Sequence, residues 1–511
     1  MAIKINSLKR ERCAGVLLPV SSLPSRYGIG TLGREAYRFI RFLKCAGQTC
    51  WQVLPVGPTS YGDSPYQSFS AFAGNPYFID LELLMQENLI SWEEAERICW
   101  GLEETNVDYE RLFRSRFSLL HLACRRSNLE KDADFRQFCR EQRAWLEDYA
   151  LFMALKYYFN QREWLQWPQP IKFREAGAVK YYVNLLKDEI LFWKFCQYKF
   201  FEQWESLKQY ANRNGISIIG DIPIYVAMDS ADVWVHPELF QLDRDLCPTG
   251  VAGVPPDDFS KTGQLWGNPL YRWEAMERDG FSWWRTRMQM SARLYDRIRI
   301  DHFIGIVRYF AIPAGEKTAV NGEYKPGPGK KLTDAINESV GRAKIIAEDL
   351  GVVIPAVRRL LRQNRYPGMR VLQFAFDGDA SNEHLPCHYE KNLVAYGGTH
   401  DNETLVGYFC GTAKPKQVQF AKRYLNVKQK KDLPKAILRE AYASVANTVI
   451  FQAQDILFLP GWARMNFPST VGGNWRWRLK KGQLTWETAA MLRNLAVTYG
   501  RYEELNGGKR K

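Results

Sequence analysis

The chain has 511 residues and a formal net charge of +14 at pH 7, with 46% hydrophobic and 25% charged residues. This balance is typical of a soluble globular protein, and the length is sufficient for a large hydrophobic core. No run approaches the roughly 18 apolar residues of a membrane helix, so we predict no membrane span.

Eight short β-branched or apolar runs follow one another along the chain, and amphipathic helical stretches separate most of them. The runs cover residues 14–20, 49–56, 216–226, 297–303, 343–349, 369–376, 392–401 and 455–461. Strands that alternate with helices indicate βα units and a parallel sheet. Eight such units predict an α/β protein built as a (β/α)8 TIM barrel, with the whole chain, 1–511, as one catalytic unit.

One connection is too long for a simple crossover helix. Roughly 160 residues separate the second run from the third, and they carry apolar and aromatic residues at helical spacing. Ser91 and Glu94 have the spacing of a capping box within this stretch. We therefore predict a large, mainly helical subdomain at 80–212, inserted after the second strand. Glycine- and proline-rich stretches predict further loop insertions, including a loop and helical segment at 227–290 near the mouth of the barrel.

The ten cysteines form no CxxC pair and show no zinc-ligand spacing. This pattern is typical of reduced thiols in a cytosolic enzyme, so we expect neither a metal site nor a cofactor. The N-terminus has no apolar stretch long enough for a secretory signal. We therefore expect a cytoplasmic protein, or a plastid one if a transit peptide has been removed.

The positive charge is spread along the chain and is densest at 414–431 and at 507–511. Neither stretch carries a nucleic-acid-binding motif, so we favour a solvated basic face over a nucleic-acid site. Salt-dependent retention on heparin or DNA would distinguish the two.

Four carboxylates lie at the predicted carboxyl ends of four different strands: Asp221, Asp301, Glu348 and Asp401. In a closed barrel these strand ends meet at one mouth, where barrel enzymes have their active sites. One acid alone would be explained as a helix N-cap, but four together predict a site. Three basic residues belong to the same segments: Arg299, His302 and His400.

Several carboxylates with an arginine and two histidines, but without a metal site or a nucleophilic serine or cysteine, fit the cleavage of a glycosidic bond. That reaction needs one carboxylate as nucleophile and a second as proton donor. The charge of Arg299 would keep Asp301 ionised. Glu348 would need a raised pKa to donate a proton, which an apolar environment can supply.

Longer stretches carry a specific resemblance. They are GDIPIYVAMDSADVW (220–234), VAGVPPDDFSKTGQLWGNPLYRW (251–273), RIDHFIG (299–305), IIAEDLG (345–351), GTHDNET (398–404) and ARMNFPST…GNWRWR (463–478). With them the chain resembles the amylomaltase family, the 4-α-glucanotransferases of the α-amylase clan, from about residue 14 to about residue 500. The resemblance implies a retaining double displacement on α-1,4-glucans in a (β/α)8 barrel without a metal.

The resemblance also implies roles for individual residues. Asp301 would be the nucleophile, Glu348 the general acid and base, and Asp401 the stabiliser of the transition state. The remaining positions would bind the glucan: Ser64, Tyr66, Asp221, Trp266, Arg299, His302, His400 and Asn474, with Tyr61 at a secondary sugar contact. The implied partners are α-1,4-glucans and maltooligosaccharides, with no nucleic acid and no membrane, for a monomer or small homo-oligomer.

Two other functions stay open from the residues alone. An amylase-type α-glucan hydrolase would use the same acids but would shorten glucans without lengthening them. A non-catalytic glucan-binding protein would not need the three acids as a set. A loop at 253–268 that covers the mouth would hold an acceptor and exclude water, which favours transfer.

Overall fold

A computed structural model describes residues 12–60, 62–101, 103–129, 131–256 and 260–503. The strands in these residues are β1 (Cys13–Leu17), β2 (Cys50–Gln52), β3 (Ser217–Ile222), β4 (Gly250–Val254), β5 (Gln264–Pro269), β6 (Arg297–Ile300), β7 (Arg308–Pro313), β8 (Glu323–Pro326), β9 (Lys344–Ala347), β10 (Gly368–Val371), β11 (Leu393–Tyr396) and β12 (Thr448–Gln452).

The α-helices in the same residues are α1 (Arg34–Cys45), α2 (Leu81–Gln86), α3 (Trp92–Glu96), α4 (Tyr109–Arg126), α5 (Ala133–Glu141), α6 (Leu146–Tyr158), α7 (Gln169–Lys172), α8 (Ala176–Leu185), α9 (Lys187–Arg213), α10 (Ala231–Val235), α11 (Trp273–Arg278), α12 (Ser282–Leu294), α13 (Ile304–Val307), α14 (Lys330–Ser339), α15 (Pro355–Asn364), α16 (Leu405–Gly407), α17 (Pro415–Tyr424), α18 (Leu433–Ala443), α19 (Ala453–Ile456) and α20 (Trp486–Thr498).

Eight strands form one parallel sheet in the order β10, β11, β12, β1, β2, β3, β6, β9. The two ends of this sheet meet between β9 and β10, where the Ala347 amide donates to the Pro367 carbonyl at 3.0 Å. The Met369 amide donates to Oδ1 of Asp349 at 2.7 Å across the same gap. These bonds close the barrel without a regular ladder, and we refer to this line as the β9–β10 seam. The predicted (β/α)8 barrel is confirmed.

Seven of the eight predicted runs overlap a barrel strand, and the eighth is wrong. We predicted the last strand at 455–461, but the structure has it at Thr448–Gln452, and α19 occupies the start of the predicted run. Both segments are apolar, so hydrophobicity alone did not separate them. The β-branched residues of TVIFQ favour the strand at the earlier position.

Helices α2 to α9 fill the long connection between β2 and β3, where we predicted an inserted helical subdomain. Ser91 caps α3 with the predicted capping box to Glu94. The longest helix, α9, holds the loop before α2 through the amide of Gln197, which accepts from the Gly74 amide at 2.7 Å and donates to the Gly74 carbonyl at 2.9 Å. The status of 80–212 as a separate subdomain stays a prediction.

A second, antiparallel sheet has the order β5, β4, β7, β8. Strands β4 and β5 lie within 227–290, where we predicted loops and helices, and β7 begins a few residues after β6 ends. Because β6 ends at the carboxyl side of the barrel, the short link from Asp301 to Val307 brings this sheet to the mouth.

The barrel interior is filled mainly by apolar side chains. The buried residues inside it are Cys13, Leu17, Cys50, Ile219, Ile346, Met369, Val371, Val394, Tyr396 and Ile450. Packed layers of this kind are usual for barrels, whose chemistry lies above them at the carboxyl ends of the strands.

Candidate active site

The site begins on strand β6, whose side chains alternate between the barrel interior and the surrounding helices. Arg299 on this strand is the Cα partner of Asp221 on β3. Nη1 of Arg299 donates to both carboxylate oxygens of Asp221 at 2.7 Å. Nη2 of the same guanidinium lies 2.8 Å from Oδ1 of Asp301. One arginine therefore joins the acids of two neighbouring strands.

These three charged groups differ in exposure. The Arg299 side chain is 5% exposed and that of Asp221 is fully buried, whereas the Asp301 side chain is 30% exposed. Burial alone would lower the pKa of Arg299, but the charges of Asp221 and Asp301 raise it well above its ordinary value. Burial raises the pKa of Asp221, and the Arg299 charge opposes that change. Asp301 is thus the acid of this pair that a ligand can reach.

Glu348 directly follows β9, the strand beside β6. Its Oε2 accepts a hydrogen bond from the His302 amide at 2.7 Å, and its Oε1 accepts one from the Leu350 amide at 2.6 Å. Burial and the nearby charge of Asp301 raise the pKa of Glu348 to about 8, although Arg299 and the two amides oppose the rise. At neutral pH this carboxyl group therefore holds a proton.

The amide that binds Glu348 comes from an unusual backbone conformation. His302 has a φ of 50°, in the left-handed region that non-glycine residues seldom adopt. Such backbone strain is found mainly at sites where the surrounding structure fixes the geometry for a purpose. Here the turn follows Asp301 directly, so the same few residues place one acid and orient another.

Asp401 lies in the loop after β11, and its side chain is 46% exposed. Nδ2 of Asn466 donates to its Oδ1 at 2.6 Å, and Nε2 of His400 lies 3.5 Å from the same oxygen. Nη2 of Arg464 donates to the Asp401 backbone carbonyl at 2.7 Å. The segment after β12 therefore fixes both the backbone and the carboxylate of Asp401.

An aromatic wall joins Asp221 to the loop of Asp401. The ring of Tyr66 stacks on that of His400 with 5.1 Å between centroids and 17° between planes. Trp475 contacts both rings, at 5.8 Å from Tyr66 and 5.7 Å from His400. The Tyr66 hydroxyl donates to Oδ2 of Asp221 at 2.7 Å. Flat rings with polar edges of this kind suit the apolar faces and hydroxyls of a sugar.

Trp266 and His302 form a second aromatic contact, on the side of the antiparallel sheet. Trp266 lies on β5, and its ring meets the His302 ring edge-on, with 4.9 Å between centroids. Burial lowers the pKa of His302 to about 4, so its imidazole is neutral at pH 7. The ring next to Asp301 is therefore a neutral hydrogen-bonding group and adds no charge.

Two of the predicted sugar-binding residues, Ser64 and Asn474, do not join this cluster through their side chains. The Ser64 hydroxyl accepts from the Tyr66 amide at 3.3 Å, so it shapes the turn that presents Tyr66. Oδ1 of Asn474 accepts from the Phe467 amide at 3.0 Å, and its Nδ2 donates to Oγ1 of Thr470 at 2.9 Å. The Asn474 amide is thus occupied within its own loop. Tyr61 lies outside the described residues.

Sequence reasoning missed three contributors: Arg464, Asn466 and Trp475. All of them lie in the ARMNFPST…GNWRWR stretch, from which we predicted only Asn474 as a site residue. The signal was present in the alternation of polar and aromatic residues there, but nothing in the sequence indicates that this loop folds over Asp401.

The arrangement offers two carboxyl groups in different environments at the mouth of the barrel. Asp301 faces a cation and is accessible, whereas Glu348 is buried and protonated at neutral pH. A nucleophile and a proton donor with this division are what a retaining glycosidase mechanism requires. Within the described residues, no group of three or more histidines, cysteines and acids is placed to hold a metal ion.

Among the helices of the described residues, none is long and apolar enough to cross a membrane.

A barrel with this acid pair at its carboxyl end defines an enzyme that acts on glycosidic bonds by carboxylate chemistry. The profile of the 4-alpha-glucanotransferase family matches residues 18–485. A 4-alpha-glucanotransferase of Clostridium butyricum is 47% identical over 485 residues, which are 95% of this chain and 100% of that protein. The chloroplastic/amyloplastic 4-alpha-glucanotransferase of Solanum tuberosum is 42% identical over 96% of this chain and 87% of its own.

A solved structure agrees with these relatives. The amylomaltase from Streptococcus agalactiae in complex with acarbose has a TM-score of 0.93 and 42% identity, covering 96% of this chain and 100% of that chain. The chain therefore belongs to the 4-alpha-glucanotransferase family. The identification of the family, the barrel and the transferase activity from sequence is confirmed.

Proposed function

We propose that the enzyme moves segments of α-1,4-glucan to the 4-hydroxyl of an acceptor sugar, with Asp301 as the nucleophile. The observation that carries this assignment is the position of Asp301, 2.8 Å from the Arg299 guanidinium and open to a ligand. This carboxylate, held in position by the guanidinium, attacks the anomeric carbon to give a covalent glycosyl-enzyme. Asp221 accepts from Nη1 of Arg299 and so fixes the orientation of the guanidinium group.

Glu348 is the proton donor in this proposal. With a pKa of about 8 it carries the proton that the departing glycosidic oxygen needs. Once that proton has left, the same carboxylate accepts one from the acceptor hydroxyl, and the second displacement releases the longer glucan. The amides of His302 and Leu350 hold both of its oxygens in place during this exchange.

Asp401 and the aromatic wall bind the sugar in the cleaved position. Asp401 presents a partly exposed carboxylate that stabilises the positive charge of an oxocarbenium-like transition state. The sugar ring is surrounded by four side chains: Tyr66, His400, His302 and Trp266. Their aromatic rings and polar edges form the two contacts described at the mouth of the barrel. We assign Ser64 and Asn474 to the loops that position Tyr66 and Trp475.

Transfer in place of hydrolysis requires an acceptor sugar to reach the glycosyl-enzyme before water does. We predicted a covering loop at 253–268 for this purpose. Residues 257–259 lie outside the described residues, while Gln264 to Pro269 form β5 and carry Trp266. Trp266 at the mouth supports a role for this segment in holding the glucan.

The compartment and the assembly also belong to this proposal. All ten cysteines are free, which supports a reducing compartment such as the cytoplasm. A plastid would be equally reducing, and the Solanum tuberosum relative carries that compartment in its name. The absence of nucleic-acid binding and the state of a monomer or small homo-oligomer stay predictions.

Incubation with maltotriose alone tests the proposal directly. We expect glucose together with a ladder of maltooligosaccharides longer than maltotriose, separated by size. Glucose and maltose without longer products would indicate hydrolysis, and no reaction would contradict an active site at Asp301.

A further inference from the structure

One long stretch of the chain carries charge of a single sign. No acidic residue lies between Glu403 and Asp432, whereas seven lysines and arginines do. We refer to these seven residues as the basic rim: Lys414, Lys416, Lys422, Arg423, Lys428, Lys430 and Lys431. Within the part of the chain that the structure describes, none of them forms an ion pair with a carboxylate.

The basic rim lies at the mouth of the barrel. Phe420 and Tyr424 on α17 pack against Phe376, which follows the carboxyl end of β10, with 6.4 and 6.0 Å between ring centroids. Nζ of Lys430 donates to the Cys410 carbonyl at 3.3 Å, in the segment after Asp401. The rim therefore flanks the same end of the barrel as the catalytic acids.

Few acids face the basic rim from neighbouring elements. Asp377 and Asp379 lie on either side of Gly378, which packs against the end of Lys416. Their carboxylates accept hydrogen bonds within their own loop, from Asn382 and from Ser381 respectively. Among the described residues, two further acids lie near the later cations: Asp432 ends the stretch, and the charge of Glu440 on α18 acts on Tyr424, next to Arg423.

A neutral glucan gains nothing from this concentration of charge. Like charges held together cost energy and attract anions from solution, so the rim suits a ligand that carries negative groups. In the proposed function the mouth of the barrel binds an α-glucan. A ligand that contacts both the mouth and the basic rim is therefore an α-glucan that carries covalently bound anionic groups. Lysines on flexible stems are usual partners of phosphate groups at varying positions.

We propose that the basic rim binds phosphate groups esterified to the α-glucan, so that the enzyme binds phosphorylated chains more tightly than neutral chains of equal length. This inference rests on the proposed function, because it assumes that the mouth holds an α-glucan.

The test compares two triple variants of the full chain. Arg423→Gln/Lys428→Gln/Lys431→Gln removes three cations of the rim, and Lys180→Gln/Lys187→Gln/Lys481→Gln removes three exposed cations elsewhere. The probe is a soluble amylopectin dextrin that carries phosphate monoesters, with the same dextrin after phosphatase treatment as its neutral partner. Affinity electrophoresis in low salt and in about 0.3 M NaCl gives the dissociation constants.

The wild-type enzyme should bind the phosphorylated dextrin about tenfold more tightly than the neutral one, as expected for about three exposed charge contacts. The rim variant should lose most of this preference, the control variant should keep it, and high salt should abolish it. An absent preference in the wild type, or an equal loss in both variants, would overturn the inference. Rim-dependent binding to DNA or heparin without a preference for phosphorylated dextrin would overturn it as well, in favour of another polyanion.

Disproportionation of maltotriose keeps the two proposals separate. Maltotriose carries no phosphate, so both triple variants should convert it at the wild-type rate. If the wild type forms no longer products, the proposed function fails. If it forms them normally but shows no preference for the phosphorylated dextrin, only the role of the rim fails.

Discussion

Strand β6 carries two arginines on the same face, and their surroundings differ completely. Arg299, at the carboxyl end, lies between Asp221 and Asp301 at 2.7 and 2.8 Å. Arg297, two residues earlier, donates to the sulfur of Cys13 at 3.4 Å and to the hydroxyl of Thr448 at 3.3 Å. Two residues along one strand thus separate Arg299, which positions two acids, from Arg297, which fills the bottom of the barrel.

The lower group has polar chemistry of its own. A hydrogen bond from Cys50 lowers the pKa of the Cys13 thiol well below its ordinary value, although burial opposes the change, and Arg297 adds to the lowering. The same contact raises the pKa of Cys50. Because barrel active sites lie at the carboxyl ends of strands, we assign the Arg297 group to stability and the Arg299 group to catalysis. The comparison teaches that position along the strand decides the role of an arginine.

The largest expected difference between the two ends of β6 concerns their aspartates. Asp301→Asn removes the proposed nucleophile and should lower the rate of maltotriose transfer by about 10⁴-fold or more, since the covalent step is lost. Asp296→Asn is the matched change at the other end, where Oδ2 accepts from the Ile218 amide at 2.8 Å. It should leave transfer within about threefold of wild type. Comparable losses in initial-rate assays would refute the division between the two ends.

The next largest effect concerns stability. Arg299→Gln leaves Asp221 buried without its cation and should lower the free energy of unfolding by about 3–5 kcal/mol. Arg297→Gln loses hydrogen bonds to a thiol and a hydroxyl, and we expect about 1–2 kcal/mol. Urea unfolding of both variants at pH 7 measures the difference. An equal cost would show that the upper acids do not depend on their arginine.

A pH profile sharpens the assignment of Glu348. Its pKa of about 8 predicts that kcat/KM on maltotriose falls about tenfold per pH unit above pH 8, as the proton donor is lost. Glu348→Gln should be strongly impaired at every pH and should lack this alkaline limb. A wild-type profile that stays flat to pH 10 would contradict the assignment.

The same group links pH to stability. Its pKa is raised on folding, so the folded state holds the proton more tightly, and stability is lost as the pH rises from the ordinary glutamate value of about 4.3 towards 8. Glu348→Gln removes this contribution. The free energy of unfolding of the Glu348→Gln variant, relative to that of the wild type, should therefore increase between pH 5 and pH 8, as measured by urea unfolding.

The smallest effect is expected for the removal of single tyrosine hydroxyls, and two tyrosines allow the comparison. Tyr66 donates to Asp221 at 2.7 Å, and Tyr396 donates to Oε1 of Gln52 in the barrel interior at 2.8 Å. Tyr66→Phe should raise KM for maltotriose several-fold, because Asp221 loses a partner worth about 1–2 kcal/mol. Tyr396→Phe should cost a similar stability without changing KM. Steady-state kinetics with thermal unfolding separates the two, and a changed KM in Tyr396→Phe would count against the comparison.

The barrel and its acids were accessible to sequence reasoning for a physical reason. Parallel strands must be apolar on both faces, so an acid at the end of such a run, as at Asp301 or Glu348, is conspicuous. The position of β12 was less accessible, because TVIFQ and DILFLPG are both apolar. The antiparallel sheet was missed because its pairing, such as that of Val251 with Ile312, depends on contacts distant in sequence.

The electrostatic details of the site could not be predicted from residue order. The sequence places Arg299 beside Asp301, but only the register of β3 against β6 brings Asp221 to the same guanidinium. The contact of Asn466 with Asp401 joins residues 65 positions apart in the chain. Likewise, the raised pKa of Glu348 follows from its burial in the folded chain.

The β9–β10 seam has a consequence for the motions of the barrel. Elsewhere in the barrel, neighbouring strands are joined by regular ladders of backbone hydrogen bonds. At the seam they are joined by the hydrogen bond from the Ala347 amide to the Pro367 carbonyl and by the Asp349 side chain, which accepts from the Met369 amide. Native-state hydrogen exchange should therefore find the opening of lowest free energy at this line, with the Ala347 and Met369 amides exchanging before those of Ile219 or Ile298. Glu348 lies directly on it. The proposed proton donor is thus carried by the line of the barrel where we expect opening to cost the least free energy, and its burial should change with each opening.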